Sequence, residues 1–120
     1  MERSEIEYVF AGIAVTDYAS AVAWYEKVFG RPPDFVVRDD IESMWRLKDA
    51  AWVYIVQDRE RAGKSLVTIL VANLETHLQE LAARGLDGWD VETVPGLYSK
   101  ATLTDMDGNT VAFGENLQKP

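Results

Sequence analysis

The chain has 120 residues, a mass of 13.5 kDa and a composition that is 48% hydrophobic and 27% charged, which suits one folded domain and excludes a disordered protein. A formal charge of −8 and a pI near 4.5 argue against nucleic-acid and anionic-membrane partners, because both repel an acidic surface. The sequence contains no cysteine, and no apolar stretch reaches the length of a signal peptide or a membrane span, so we expect a cytoplasmic protein.

The first half of the sequence predicts a strand, a helix and two or three further short strands. Residues 8–15 form a short apolar run that is rich in Val, Ile and aromatic residues, as in a strand. Asp17 can cap a helix in which apolar residues recur at helical spacing from Tyr18 until Gly30. Strands are expected at 35–37, 43–47 and 52–56, and the polar stretch 58–64 is predicted to be a linker.

The second half repeats this order. Residues 66–71 predict a strand, Asn73 a cap, and the apolar periodicity that follows predicts a helix that stops at Gly85. Short strands are expected at 90–93, 98–104 and 110–113. An offset of 56 residues superimposes Asp17 on Asn73 and Tyr25 on Leu81. The sequence therefore predicts a single α+β domain of two βαβββ modules, at about 6–57 and 65–115.

A sheet of three or four strands that carries one helix leaves its other face uncovered. Two such sheets, packed side by side, can curve into a trough, and concave apolar surfaces are where small molecules bind. Four aromatic residues in the predicted strands are candidates for its lining: Trp45, Trp52, Tyr54 and Tyr98. The alternative for each of them is an ordinary place in the core.

Two segments of the sequence carry a resemblance to a known family. Residues 13–18, followed by Trp24, Tyr25 and Phe29-Gly30, and the closing hairpin 104–113 resemble the vicinal-oxygen-chelate superfamily of glyoxalases, bleomycin-resistance proteins and dioxygenases. The likeness runs from about residue 10 to 115. It implies curved mixed sheets around a trough and, in most members, a homodimer.

The resemblance also implies four positions for the ligands of a divalent metal, which the family's enzymes fill with His, Glu or Gln. Carried onto this sequence, the positions are Phe10, a less certain one near Tyr54, one near Leu66, and Ala112. Phenyl, isobutyl and methyl groups cannot coordinate a metal, and a phenol is a poor ligand for one. We therefore expect neither a metal nor another cofactor.

Few other residues suggest chemistry. Lys100 and Arg46 lie in predicted strands and could face an anionic ligand group or, for a desolvated lysine, act as a base, although they could equally point to water. The single histidine, His77, is interpreted as a structural or surface residue. Asp105 and Asp107 lie in a turn, where carboxylates are usually solvated or accept from backbone amides, so we assign neither a catalytic role.

Three functions are compatible with these observations. The first is a metal-free protein that binds and sequesters a small molecule. The second is a lyase, isomerase or dioxygenase with displaced metal ligands such as Glu42 or Glu115, or a metal-free catalyst that uses Lys100. The third is an interaction module whose aromatic face pairs with a second copy. We favour the first, with these ligand-binding residues: Phe10, Trp45, Arg46, Trp52, Tyr54, Tyr98, Lys100 and Ala112.

Overall fold

The computed structural model describes residues 4–118, which form eight strands and two helices. The first module contains β1 (Val9–Val15), α1 (Tyr18–Phe29), β2 (Phe35–Arg38), β3 (Glu42–Lys48) and β4 (Ala51–Gln57). The second contains β5 (Leu66–Leu70), α2 (Leu74–Ala83), β6 (Asp90–Val94), β7 (Tyr98–Thr104) and β8 (Thr110–Asn116). The predicted α+β fold of two βαβββ units is confirmed, and the strand ends differ from the prediction by three residues at most.

Each module folds into its own four-stranded mixed sheet. In sheet 1 the strand order is β1-β4-β3-β2, and in sheet 2 it is β5-β8-β7-β6, so the two orders are equivalent. The first strand of each module pairs in parallel with the last, and the remaining pairs are antiparallel hairpins. A parallel pair needs a long crossover, which the helix and two strands of each module provide.

Both helices begin at the predicted caps. The Asp17 carboxylate accepts from the Ser20 backbone amide at 3.0 Å, and the Asn73 side chain accepts from that of Thr76 at 2.9 Å. Gly30 ends α1 with a φ of 79°, a left-handed conformation that suits glycine. These caps satisfy backbone groups that would otherwise lack partners at the helix ends.

Alternation along the strands separates a buried face from an uncovered one. On the face of sheet 1 that α1 covers, Ile13, Val15, Val53 and Ile55 are at most 2% exposed. The opposite face, called here the open face of sheet 1, carries the alternate residues, among them Phe10, Trp52 and Tyr54. The open face of sheet 2 is its counterpart opposite α2, with Leu66, Thr68, Tyr98, Lys100 and Ala112. Residues 4–118 therefore leave one face of each sheet uncovered.

The overall shape agrees with two sheets that lie side by side. The chain measures 50 × 42 × 25 Å, and its radius of gyration of 15.4 Å exceeds the value of about 13.5 Å typical of a compact domain of this length. The buried residues of both modules nevertheless form one apolar cluster. The molecule is thus a flattened body with a common core and two uncovered sheet faces.

A buried polar network joins the modules. The Tyr25 hydroxyl in α1 donates to the Asp105 carboxylate at 2.7 Å, and the Asn109 amide donates to the Ala14 carbonyl at 2.8 Å. Asp105 also accepts from the backbone amides of Asp107 and Asn109, which is one of the two arrangements expected for a turn carboxylate. Burial, followed by the hydrogen bond to Asp105, raises the pKa of Tyr25 well above its usual range, so its hydroxyl stays protonated and donates.

Candidate functional site

Aromatic side chains cover part of the open face of sheet 1. The rings of Phe10 in β1 and Trp52 in β4 stack with centroids 6.0 Å apart and planes 29° apart, and Tyr8 lies 6.2 Å from Phe10. The strands place them there because Phe10 and Trp52 are partners in the parallel register. Phe10 is 48% exposed, so the stack presents apolar surface that nothing in the described chain covers.

Two residues along β1 from Phe10, the side chain of Tyr54 in β4 packs closely against the backbone of Gly12. Gly12 lies beside Tyr54, and a β-carbon at Gly12 would stand 2.5 Å from the Tyr54 Cζ and Oη atoms. The Tyr54 ring therefore packs closely against β1, in space that a side chain at position 12 would fill. This packing holds the phenol on the open face of sheet 1, the face that also carries Phe10 and Trp52.

A cavity of about 580 Å³ adjoins the stack at one end of sheet 1. Trp52 and Arg46 line it together with the amino-terminal segment and the β3–β4 turn: Glu5, Ile6, Glu7, Tyr8, Asp49 and Ala50. Three acidic residues and one arginine therefore line the cavity, and the Arg46 Nε atom donates to the Asp49 carbonyl at 2.6 Å. The indole Nε1 of Trp52 is buried and has no hydrogen-bond partner within residues 4–118. An aromatic wall beside an acidic rim suits a cationic group.

Trp45 does not belong to this surface, which corrects its assignment to the trough. It is 0% exposed and lies under α1, where its ring centroid is 5.2 Å from that of Phe29 and 6.5 Å from that of Tyr25. Its indole donates to the Arg31 carbonyl at 2.9 Å. Trp45 faces the helix because strand alternation places it on the same side as Ser43, opposite to Arg46. Its role is in the core.

The other predicted residues form a second group, on the open face of sheet 2. The Tyr98 hydroxyl donates to the Glu92 carboxylate at 2.9 Å, and the Lys100 Nζ lies 3.8 Å from the same carboxylate and 5.9 Å from the centre of the Tyr98 ring. The hydrogen bond to Glu92 raises the pKa of the Tyr98 phenol. Ala112 faces the same side but is only 6% exposed, so it offers a ligand little surface.

Glu92 was not predicted as a site residue. The β6–β7 hairpin makes it the direct partner of Lys100 in register, and the pairing of opposite charges across two strands was the signal available in the sequence. This charge pairing could not be used as a signal, because the sequence alone does not fix the register of the β6–β7 hairpin. With Lys100 held by Glu92 and Tyr98, the sequence-predicted residues divide into two clusters, one on each sheet.

The four positions implied for metal ligands all lie on the open faces. Phe10 and Tyr54 are on sheet 1, and Leu66 and Ala112 are on sheet 2. The side chains there offer no imidazole or carboxylate to a divalent ion. Within residues 4–118, no three His, Cys, Asp or Glu side chains are grouped so that they could hold a metal. The residues present do not fit the metal of the family's enzymes.

The proposed substitutes for these ligands are engaged elsewhere. Glu115 accepts from the Leu74 backbone amide at 2.8 Å, at the start of α2, and Glu42 accepts from Arg38 at 3.2 Å. His77 packs against Phe113 with ring centroids 4.2 Å apart, and burial lowers its pKa, so it is neutral at pH 7. Within residues 4–118, the two proposed substitutes, Glu42 and Glu115, therefore do not belong to a common donor set.

Comparisons with known proteins identify the fold and the family. A sequence profile described as the Glyoxalase/Bleomycin resistance protein/Dioxygenase superfamily matches residues 6–113. No protein of curated function matches the sequence. In the described part of the chain, residues 4–118, no helix is long and apolar enough to cross a membrane.

Solved structures give the same result. A glyoxalase/bleomycin resistance protein from Catenulispora acidiphila is 36% identical, with a TM-score of 0.85 over 90% of this chain and 96% of that one. A bleomycin-binding protein in complex with bleomycin shares the fold at 16% identity, with a TM-score of 0.69 over 92% and 99% of the two chains. TnmS3, an antibiotic-binding protein from Streptomyces, does so at 16% identity, with a TM-score of 0.66 over 97% and 98%. The chain belongs to the glyoxalase/bleomycin resistance protein/dioxygenase superfamily.

Proposed function

We propose that the protein binds a cationic aromatic small molecule on the open face of sheet 1, without a metal and without transforming the ligand. The observation that carries this proposal is the exposed Phe10–Trp52 stack beside a cavity rimmed by Glu5, Glu7 and Asp49. Stacked rings attract planar ligands and cations through their electron-rich faces, and carboxylates add a favourable charge. A chain with a formal charge of −8 strengthens this preference at longer range.

The residues at the implied metal positions support binding rather than catalysis. Phe10 occupies a position that the family resemblance implies for a metal ligand, and here it is part of the aromatic stack. Among the structural relatives are a bleomycin-binding protein and an antibiotic-binding protein, which support a sequestering function for this chain. Sequestration requires only affinity, whereas catalysis requires groups that act on a transition state.

The proposal includes a homodimer in the cytoplasm. Large apolar side chains are exposed on both open faces, with Leu66 at 84%, Leu70 at 68% and Phe35 at 57%. A second copy that covered them would remove this surface from water and would close the sides of the ligand site. Sedimentation velocity should give twice the 13.5 kDa chain mass, and Leu66→Lys should shift the protein toward the monomer. A wild-type monomer at every concentration would contradict this part of the proposal.

The ligand preference is tested with two aromatic dyes of opposite charge, acridine orange and anilinonaphthalene sulfonate, and with metal-free bleomycin. Calorimetric titration in EDTA should show binding of the cationic dye and much weaker binding of the anionic one. Trp52→Leu should weaken binding about fivefold, because one stacking partner is worth roughly 1 kcal/mol. The control is Trp89→Leu, which changes an indole beside α2 in the other module.

Divalent metals, unlike the cationic dye, should not bind the protein. Zn²⁺, Ni²⁺ and Mn²⁺ should leave the melting temperature of the EDTA-treated protein unchanged, since a ligand raises stability only by binding the folded state. A rise in melting temperature at micromolar metal, or binding of the dye only after metal is added, would favour a metalloenzyme and would overturn the proposal.

A further inference from the structure

A second cavity lies between the two modules, where residues of α1 and β3 in the first module face residues of β5 and α2 in the second. Its volume is about 320 Å³, near the lower end of the range for small-ligand sites. The side chains of Phe29, Leu47, Ile69 and Phe113 give it apolar walls contributed by both modules. It is separate from the aromatic stack, since none of the residues of that stack lines it.

The repeat explains why this space is empty. In the second module, residues 105–109 connect β7 to β8, and this loop sends Asp105 and Asn109 against α1 and β1 of the first module. The equivalent connection of the first module is the two-residue turn 49–50 between β3 and β4. A shorter turn cannot fill the matching space beside α2. The helix position equivalent to Tyr25 is the apolar Leu81, so the polar network has no counterpart there either.

The charge around the cavity is opposite to that of the whole chain. Arg31, Lys48 and Arg84 line it, and among residues 4–118 Glu80 is the only acidic residue that does so. Three of the chain's 12 lysines and arginines therefore gather at one opening of a protein whose formal charge is −8. Burial keeps the His77 imidazole in the wall neutral. The local excess of positive charge favours an anionic group in the ligand.

Two of these cations have no ionic partner in the part of the chain that the structure describes. Arg84 donates to the carbonyls of Lys27 at 2.5 Å and Val28 at 3.2 Å, which are neutral acceptors at the end of α1. Lys48 is exposed, and within residues 4–118 neither Lys48 nor Arg84 has a carboxylate in ion-pair range. Arg31, in contrast, pairs with Asp34 at 2.9 Å. Lys48 and Arg84 are therefore the cations available to a bound anion.

We propose that this cavity is a second ligand site, which takes a small carboxylate with a short apolar chain. The chain would lie against Phe29, Leu47, Ile69 and Phe113, and the carboxylate at the rim formed by Lys48 and Arg84. Such a ligand contacts both modules and would stabilise their association by binding only the assembled form. The site does not depend on the ligand proposed for the open face.

The test is a titration of the ¹⁵N-labelled protein with octanoate, with octylammonium as the matched cation. Octanoate should shift the amide signals of residues 69–71 and 77–84, and octylammonium should not. Lys48→Glu should weaken octanoate binding about fivefold or more, because it reverses one charge at the rim. Lys64→Glu makes the same change of charge at an exposed position away from the cavity and should have no effect.

A second variant tests the space itself. Val71→Phe adds volume at the cavity wall and should abolish octanoate binding while acridine orange binding to the open face persists. Equal binding of octanoate and octylammonium, equal effects of the two lysine variants, or octanoate shifts confined to residues 8–12 and 52–54 would each overturn the proposal. The last result would place octanoate on the open face, so failure of this site is distinguishable from failure of the proposed function.

Discussion

Tyr25→Phe tests the buried network that joins the two modules. The substitution removes one hydroxyl, which is 2.7 Å from the Asp105 carboxylate, at a position where the side chain is 0% exposed. A hydrogen bond to a charged group contributes about 1.5 to 3 kcal/mol. Asp105 retains its bonds from Asp107 and from Asn109, so it is not left unpaired, and we expect a cost of about 2 kcal/mol.

The assay is urea unfolding followed by tryptophan fluorescence, together with thermal melting. For a chain of 120 residues, 2 kcal/mol corresponds to a fall in melting temperature of about 8 °C. Tyr8→Phe is the control, because that residue is exposed and should change stability by less than about 0.5 kcal/mol. Equal stability of the Tyr25 and Tyr8 variants would refute the claim that this hydrogen bond holds the modules together.

The same residue predicts a dependence on pH. Its folded-state pKa is raised by burial and by Asp105, so the folded protein retains a proton that the unfolded chain releases near pH 10. Stability is therefore fully present below pH 10 and is lost above it, at about 1.4 kcal/mol per pH unit for this group. Tyr25→Phe should lack that contribution, and an unchanged slope above pH 10 in urea titrations would count against the assignment.

Three further predictions concern single residues. Asn109→Ala should destabilise the protein by about 3 kcal/mol or more in urea unfolding, because the substitution removes four hydrogen bonds of a buried side chain. The Asn109 side chain accepts from the backbone amides of Gly63 and Ser65 and donates to the Ala14 carbonyl and the Asp105 carboxylate. Asn116→Ala is the control, because Asn116 is exposed. Asp17→Asn should keep the cap at pH 7 but flatten the acid limb of the stability curve. The hydrogen bonds from Ser20 lower the Asp17 pKa, so its contribution is present above about pH 4 and lost as the pH falls further; an unchanged acid limb would oppose this. Gly12→Ala should displace the Tyr54 ring and weaken acridine orange binding, with little loss of stability; unaltered affinity would show that Tyr54 takes no part in binding.

The sequence predicted the fold because the determining signals are local. Asp17 and Asn73 cap the two helices as expected, and Gly30 ends the first in a left-handed conformation. The internal repeat added long-range information, since two copies of one pattern must build two equivalent sheets. Strand ends were less well predicted because the termini of β2 and β8 depend on the register of their neighbours.

The candidate site was less predictable, because it too depends on how the strands are paired in register. Trp45 and Trp52 are alike in sequence terms, and only the β3–β4 register shows that Trp45 lies under α1 and Trp52 on the open face. The stacking of Phe10 on Trp52 depends on a parallel pairing between segments separated by 42 positions, from residue 10 to residue 52. Neither the partnership of Glu92 with Lys100 nor the cavity between the modules follows from the spacing of residues along the chain.

The most direct test of the central claim is a ¹⁵N titration of the metal-stripped protein with acridine orange in EDTA. The open-face site predicts saturable shifts of the amide signals of Phe10 and of residues 52–54 and of the Trp52 indole signal, with the signals of β5–β8 largely unchanged. Shifts located elsewhere, or binding that appears only when a divalent metal is restored, would contradict a metal-free aromatic binding site on sheet 1.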